Sequence, residues 1–366
     1  MRKFFIVSPF ESEAEGRGTR NLCWKRNVSR DFEVIFITTD WSHSRKKKLF
    51  HDKSYENLKV ISIPGYDKNI SLKRVISHWI FCIKLFIFLV PRAKKDDIIL
   101  TSTIPPEMLL VSLAMKILGC KIVSDVRDLW PLAFKGTKLP FGFAKFYNQF
   151  FRLIGHTDHI VTPIPSFKEK LEIDFRRTVE LMPLGWSGVC PPSELSALPG
   201  EARKKLSYIG NLSHLSNLDK FLDSEESNEF EITIVGDGEK RSELERKFKT
   251  CNVNFLGQIE KNEVPEHLEG TSFLLLPFFS DNALPNKFFD TFRYGIPSLS
   301  YGSSDTSRLI EELGIGVTGT DANDALRKAL NLDPVVYEKL LSNIRNLRMK
   351  YHEDHLCNVL LSRIKL

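Results

Sequence analysis

Residues 272–300 read Ser-Phe-Leu-Leu-Leu-Pro-Phe-Phe-Ser-Asp-Asn-Ala-Leu-Pro-Asn-Lys-Phe-Phe-Asp-Thr-Phe-Arg-Tyr-Gly-Ile-Pro-Ser-Leu-Ser. The order is a buried strand, a polar loop, a helix and a second buried strand. Open α/β sheets make ligand sites where such a strand ends in a loop that opens a helix. Asn282 and Asp290 stand eight residues apart, with Pro285, Asn286 and Lys287 between them. The free amides of a helix start favour an anion, and Lys287 adds a full positive charge beside them. Asp290, about one turn into the helix, is placed to accept hydrogen bonds from sugar hydroxyls. A phosphate grip beside a pentose grip is the chemistry of a nucleotide-diphosphate site.

Outward from this stretch the same alternation recurs. In the first half, strands are expected at 3–8, 33–38, 58–63, 97–101, 121–125 and 158–162, with helical patterns such as 107–118 between them. In the second half they are expected at 206–209, 231–235, 253–256, 272–277, 297–300 and 315–318, with helices near 239–249, 263–268, 286–294 and 304–312. Strand–helix alternation implies parallel sheets covered on both faces. Pro183, Pro191, Pro192, Pro199 and Gly200 mark a linker that cannot be helical. Two doubly wound, Rossmann-like domains follow, at 1–190 and 201–345, with a cleft between them that closes about the linker. A helix over 346–366 either ends the second domain or returns to the first.

The 366 residues are 42% hydrophobic and 27% charged, as in a soluble globular protein. Residues 1–190 hold 31 Lys/Arg and 19 Asp/Glu, net +12, and the remainder 21 and 27, net −6. Such asymmetry points the first half towards an anionic partner, a membrane surface or nucleic acid. No nucleic-acid recognition motif accompanies it. Six cysteines lack paired or metal-ligand spacing and read as reduced thiols of a cytoplasmic protein. The first ten residues read as a buried strand rather than a signal peptide. Val75–Val90 is apolar almost all round, yet it is short for a membrane span and Lys84 interrupts it. Flanked by Arg45-Lys46-Lys47-Lys48 and Arg92-Ala93-Lys94-Lys95, it fits a helix lying in an anionic membrane surface, or else a core helix.

Three further loops carry candidates. After the first strand, Gly16 and Gly18 allow close backbone approach and Arg17 and Arg20 offer phosphate contacts; the alternative is a solvated loop with a helix start near Thr19. The dinucleotide Gly-x-Gly-x-x-Gly, the Walker Gly-Lys-Ser/Thr and a metal-bridging Asp-x-Asp are all missing, so diphosphate charge is expected to meet Lys, Arg and amides. Strand 121–125 runs into Asp125-Val126-Arg127-Asp128-Leu129-Trp130-Pro131. Arg127 and Asp128 there either face acceptor and sugar or form an Asp–Arg pair fixing the loop. In the second half Tyr208-Ile209-Gly210-Asn211-Leu212 and Val235-Gly236-Asp237-Gly238 are strand ends with glycines that admit a flat base or ribose.

Ser124–Pro131, Tyr208–Leu212, Val235–Gly238, Phe255–Gly257 and Pro285–Pro297, taken in order, resemble the GT-B-type glycosyltransferases of family four, in the bacterial surface-polysaccharide (O-antigen or capsule) branch. The resemblance covers nearly the whole chain. It implies a GT-B fold and a retaining, metal-independent transfer of a hexosyl or N-acetylhexosaminyl group from a nucleotide-diphosphate sugar, with no separate cofactor. It also implies a lipid-linked or nascent surface glycan as acceptor, at the inner face of the cell membrane. Residue by residue, Asp290 falls on the ribose-holding acid and Asn282 on the position normally acidic, so Glu-x7-Glu becomes Asn-x7-Asp. A neutral amide hydrogen-bonds a sugar but is no acid or base. Arg127 stands where histidine is frequent. Ser213, His214 and Ser216 replace a basic pair, which leaves Lys287 as the diphosphate contact. Two other functions fit the same architecture, a nucleotide-sugar epimerase and an inactive scaffold in a polysaccharide assembly complex. The epimerase has no use for a membrane-seeking helix, and a scaffold has none for the Lys287–Asp290 spacing.

Overall fold

A computed structural model describes residues 1–365 apart from 13, 15–18, 51–56, 69–70, 130–141, 189–194, 197–203, 215, 250–251 and 278–283. The chain divides into two compact units, Met1–Pro183 with Leu356–Leu366, and Leu184–His355.

The first unit is built on strands β1 (Lys3–Val7), β2 (Glu33–Thr39), β5 (Leu58–Ile61), β6 (Ile98–Ser102), β7 (Lys121–Asp125), β8 (His159–Thr162) and β9 (Glu180–Leu181), with a small antiparallel ribbon of β3 (Trp41–Ser42) and β4 (Lys47–Lys48). The seven-stranded sheet has the order β5-β2-β1-β6-β7-β8-β9, and every pairing in it is parallel. Strands such as Phe4-Phe5-Ile6-Val7 are apolar on both faces because helices cover both. On one face Phe5, Ile37 and Ile99 pack with Phe81, Leu85 and Met115 of helices α2 (Leu72–Leu89) and α3 (Met108–Ile117). On the other, Phe4, Ile6 and Leu100 pack with Trp24 of helix α1 (Thr19–Val28) and with Cys357, Leu360 and Ile364 of the last helix, Glu353–Ile364.

The second unit carries β10 (Lys205–Ile209), β11 (Glu231–Val235), β12 (Val253–Gly257), β13 (Phe273–Leu276), β14 (Ser298–Tyr301) and β15 (Gly316–Gly319). Their order is β12-β11-β10-β13-β14-β15, again all parallel. Both doubly wound sheets expected from the alternation are present. β9 and the β3–β4 ribbon were not expected, since two-residue strands carry no periodicity to read.

α2 starts at Ser71, whose side chain accepts the Arg74 amide at 3.2 Å, and it stops before Pro91. Phe81, Cys82, Leu85 and Leu89 are its buried face. Leu72, Ile76, Ile83, Ile87 and Val90 are exposed on the other. The helix therefore contributes to the core and still presents an apolar stripe outward. Among the described residues no helix is long and apolar enough to cross a membrane.

Candidate functional site

In the second unit the strand order reverses between β10 and β13, and the loops leaving those neighbouring strands hold the candidates. β10 runs into Gly210-Asn211 and β11 into Gly236-Asp237-Gly238. Backbone bonds join the two loops: Gly210 N–H donates to Val235 O at 2.9 Å, and Leu212 N–H to Asp237 O at 2.9 Å. The fit tolerates no side chain. A Cβ on Gly236, where φ is +140°, would lie 1.9 Å from Gly210 O. One on Gly238 would lie 2.4 Å from Leu212 O. These glycines thus let two loops touch, besides any approach they allow a ligand.

Lys287 reaches this floor from the segment after β13. Its Nζ donates to the Tyr208 hydroxyl at 2.6 Å and stands 4.0 Å from the centre of that ring. The Tyr208 hydroxyl in turn donates to Asn211 O at 2.9 Å. A Cβ on Gly210 would come 2.9 Å from Lys287 Nζ, so the missing side chain makes room for the ammonium. Tyr208 is buried, and burial pushes its phenol pKa up, so it stays neutral and can serve as both donor and acceptor. It was read from sequence only as part of a strand motif. An aromatic hydroxyl two residues before the Gly-Asn turn was the available signal for its part in the site.

Pro285 precedes a 3-10 turn, Asn286–Phe289, and only then a five-residue α-helix, Asp290–Tyr294. The helix expected over 286–294 is thus split. Its axial dipole is short, and a macrodipole acts through its first turn. Lys287, not the helix end, is the stronger positive centre here. Burial lowers the Lys287 pKa to about 7, against an opposing pull from Asp290. Burial also raises the Asp290 pKa to about 7, with Arg293 and Lys287 pulling it down. The two charges feel one another, yet each is short of solvation in its charged form. The Asp290 carboxylate accepts no hydrogen bond among the described residues. Asn286 is exposed and Pro285 half-buried. Asn282 lies outside the described residues, so its place relative to Asp290 is not part of this geometry.

In the first unit the carboxyl end of β7 holds a charge network. Arg20 is buried; its Nε donates to Asp125 Oδ2 at 2.9 Å, its Nη2 to Asp125 Oδ1 at 2.9 Å, and its Nη1 to Met182 O at 2.6 Å. Arg127 Nε donates to Asp125 Oδ2 at 2.7 Å and its Nη2 to Asn21 Oδ1 at 2.9 Å, while its Nη1 pairs with Glu11. Burial alone would raise the Asp125 pKa, but Arg20 and Arg127 hold it down at about 2. Glu11 and Asp125 likewise keep Arg127 firmly charged despite burial. The guanidinium of Arg20, expected to contact phosphate, is taken up inside the protein as a brace. That of Arg127 fixes its own loop, the second of the two alternatives drawn from the sequence. Glu11 and Asn21, which complete the network, carried no motif in the sequence. Asp128 is exposed and makes no ion pair or hydrogen bond among the described residues. Gly16, Arg17, Gly18, Trp130 and Pro131 lie outside the described residues.

Residues 203–332, most of the second unit, match the model of the family described as Glycosyl transferases group 1. No curated protein sequence matches the chain. Solved structures with the same fold include a lipopolysaccharide outer core galactosyltransferase, WaaB, at 14% identity and TM-score 0.67, with 99% of this chain and 100% of that one covered. Anabaena HepE in complex with UDP matches at 13% identity and TM-score 0.68, with 99% of each chain covered. WaaG, a glycosyltransferase involved in lipopolysaccharide biosynthesis, matches at 14% and TM-score 0.62, covering 100% and 99%. The chain has the GT-B fold, and its second unit carries a segment of glycosyltransferase group 1 type.

Two outcomes follow from this geometry. Replacing Asp125 by Asn strands the buried Arg20, at a cost of about 3–5 kcal/mol, seen as a lower urea midpoint. The Asp125 pKa is about 2 when folded, below the ordinary 3.8. Its ion pairs therefore stabilise fully above pH ~4, and about 2 kcal/mol is lost as pH falls towards ~2. The Asn variant should lack that acid-limb loss. Gly236→Ala should separate the β10 and β11 loops and cost at least ~2 kcal/mol, with nucleotide binding lost even where the protein remains folded by circular dichroism.

Proposed function

We propose that the protein is a metal-independent, retaining glycosyltransferase that moves a hexosyl or N-acetylhexosaminyl group from a nucleotide-diphosphate sugar to a lipid-linked or nascent surface glycan. One observation carries this: a lysine deprived of solvation is held against a glycine floor where the strand order reverses, with a carboxylate one helical turn away. A diphosphate brings full negative charge to the Lys287 ammonium, and ribose hydroxyls bring donors to the Asp290 carboxylate. Gly210, Asn211, Gly236 and Gly238 form the floor against which the nucleotide lies. Pro285 and Asn286 shape the approach to Lys287, and Asn282 hydrogen-bonds the donor sugar. The family match to 203–332 and the UDP held by the HepE structure agree with a nucleotide-sugar donor.

The reaction breaks the bond between the anomeric carbon and the diphosphate oxygen. It forms the bond from that carbon to the acceptor oxygen on the same face, and the acceptor proton passes to the departing phosphate oxygen. Charge therefore grows on the diphosphate in the transition state, where protonated Lys287 stabilises it most. Tyr208 positions Lys287 through its hydroxyl. Asp128 is the acceptor-side carboxylate, and Arg127 acts through the loop it braces. The loop of Gly16, Arg17 and Gly18 adds contacts to phosphate or acceptor. The first unit works at the inner face of the cell membrane, supported by its net positive charge and the exposed stripe of α2.

The pH dependence of nucleotide binding tests the site. Lys287 must be protonated and Asp290 ionised, and both titrate at about 7 in the free protein. UDP affinity should fall as pH rises above ~7, because a bound anion raises the lysine pKa, and fall as pH drops below ~7, because Asp290 protonates. Isothermal titration should show a bell. Lys287→Arg should flatten its alkaline limb, and Asp290→Asn its acid limb. Lys287→Met should lower the transfer rate by about 100-fold or more, the scale of losing a transition-state electrostatic contact. Unchanged UDP affinity and turnover in both Lys287→Met and Asp290→Asn would remove the site.

A further inference from the structure

Far along the chain from the nucleotide site, the outer edge of the first sheet carries a second concavity. β5 is the edge strand of its sheet. Between it and the last turns of α2 lies a hollow of about 390 Å³, lined by Lys59, Val60, Lys84, Ile87, Phe88 and Arg92 among others. Three cations come to it from separate places: β5, the outer face of α2, and the chain just past that helix. Lys84 Nζ donates to Ser62 O at 2.8 Å and Arg92 Nη1 to Phe88 O at 3.1 Å, both neutral carbonyls. Lys59 Nζ and Arg92 Cζ stand 5.2 Å and 4.4 Å from the centre of the Phe88 ring. Among the described residues no carboxylate forms an ion pair with any of the three. Lysine on an edge strand guards against strand addition, which accounts for Lys59 alone. It does not account for two helix-side cations directed to the same hollow, where like charges repel one another.

The apolar surroundings say which anion belongs there. Ile87 lines the hollow and is 65% exposed. It continues into Ile83, 56% exposed, and along the helix to Leu72, 74% exposed. A small free phosphate has no use for that stripe. A phospholipid has use for both parts, a phosphate for the cations and acyl chains for the stripe. We propose that the hollow between β5 and α2 binds the phosphate of an anionic bilayer phospholipid, with Lys59, Lys84 and Arg92 as its cations and the exposed face of α2 lying in the acyl boundary. This rests on the membrane association put forward above and gives it a specific headgroup site.

The test is sedimentation of the full-length protein with vesicles of phosphatidylcholine, with or without phosphatidylglycerol. Each cation near an anionic surface adds to the attraction, so the K59Q/K84Q/R92Q variant should lose at least about tenfold in affinity for phosphatidylglycerol vesicles. A control, K168Q/K170Q/R176Q, makes the same change in net charge on another surface and should lose little. Melting temperature and UDP affinity should be unchanged in both. I83S/I87S should weaken binding while leaving the cations in place. Equal losses in the two triple variants would mean that bulk charge, not the hollow, attracts the membrane, which overturns the headgroup site and spares the membrane reading. No sedimentation of the wild type with phosphatidylglycerol vesicles would overturn both. Stabilisation by inorganic phosphate that the first triple variant abolishes, without vesicle binding, would make this a soluble-anion site and also overturn the proposal.

Discussion

The candidate site of the second unit is organised around a half-buried lysine. Lys287 is held over the Tyr208 ring, 2.6 Å from its hydroxyl, and its pKa is drawn down to about 7. Burying part of an ammonium is unfavourable unless an anion completes it. Gly210 in the glycine floor leaves room for the group there, since a Cβ on it would lie 2.9 Å from Nζ. That floor exists because Gly236 lets the next loop close on Gly210. The pairing of β10 with β11 on one side and with β13 on the other brings these loops and Lys287 together. Strand order, glycine geometry and lysine desolvation form one chain of dependence.

The first unit uses the same residue types to the opposite end. Arg20 and Arg127 have their donors matched to Asp125, Glu11, Asn21 and backbone carbonyls, so their charges are satisfied within the fold. An arginine with two carboxylates nearby stabilises a loop, whereas the half-buried Lys287 is set against a phenol hydroxyl and its ring. The three cations at the β5 edge are set against carbonyls and an aromatic ring, and none forms an ion pair with a carboxylate among the described residues.

The strands were legible because each is a short apolar run bounded by turns, as in Ile232-Thr233-Ile234-Val235 before Gly236. Burial on both faces imposes that pattern locally. Lys287 and Asp290 were singled out for a similar reason: a strand, a polar loop and a helix start are the order in which ligand loops are built. Arg20 was not legible as a brace, and for Arg127 a loop-fixing pair stood open beside a ligand role. Their partners lie up to 116 residues away, and nothing in a local stretch tells a paired guanidinium from a free one. The helix 286–294 also looked continuous, because 3-10 and α turns share an apolar spacing over so few residues.

By itself the amino-acid sequence determined that this chain forms two parallel, doubly wound units and that the loop after residue 276 carries a cation and a carboxylate one turn apart. Periodicity and turn residues are local properties, and local sterics and hydrophobicity suffice to set them. Only the tertiary structure decided which groups each charge meets. The fate of a charge depends on what the fold brings within a few ångströms of it, and for Lys287 that was a ring and a glycine, while for Arg20 it was a buried aspartate.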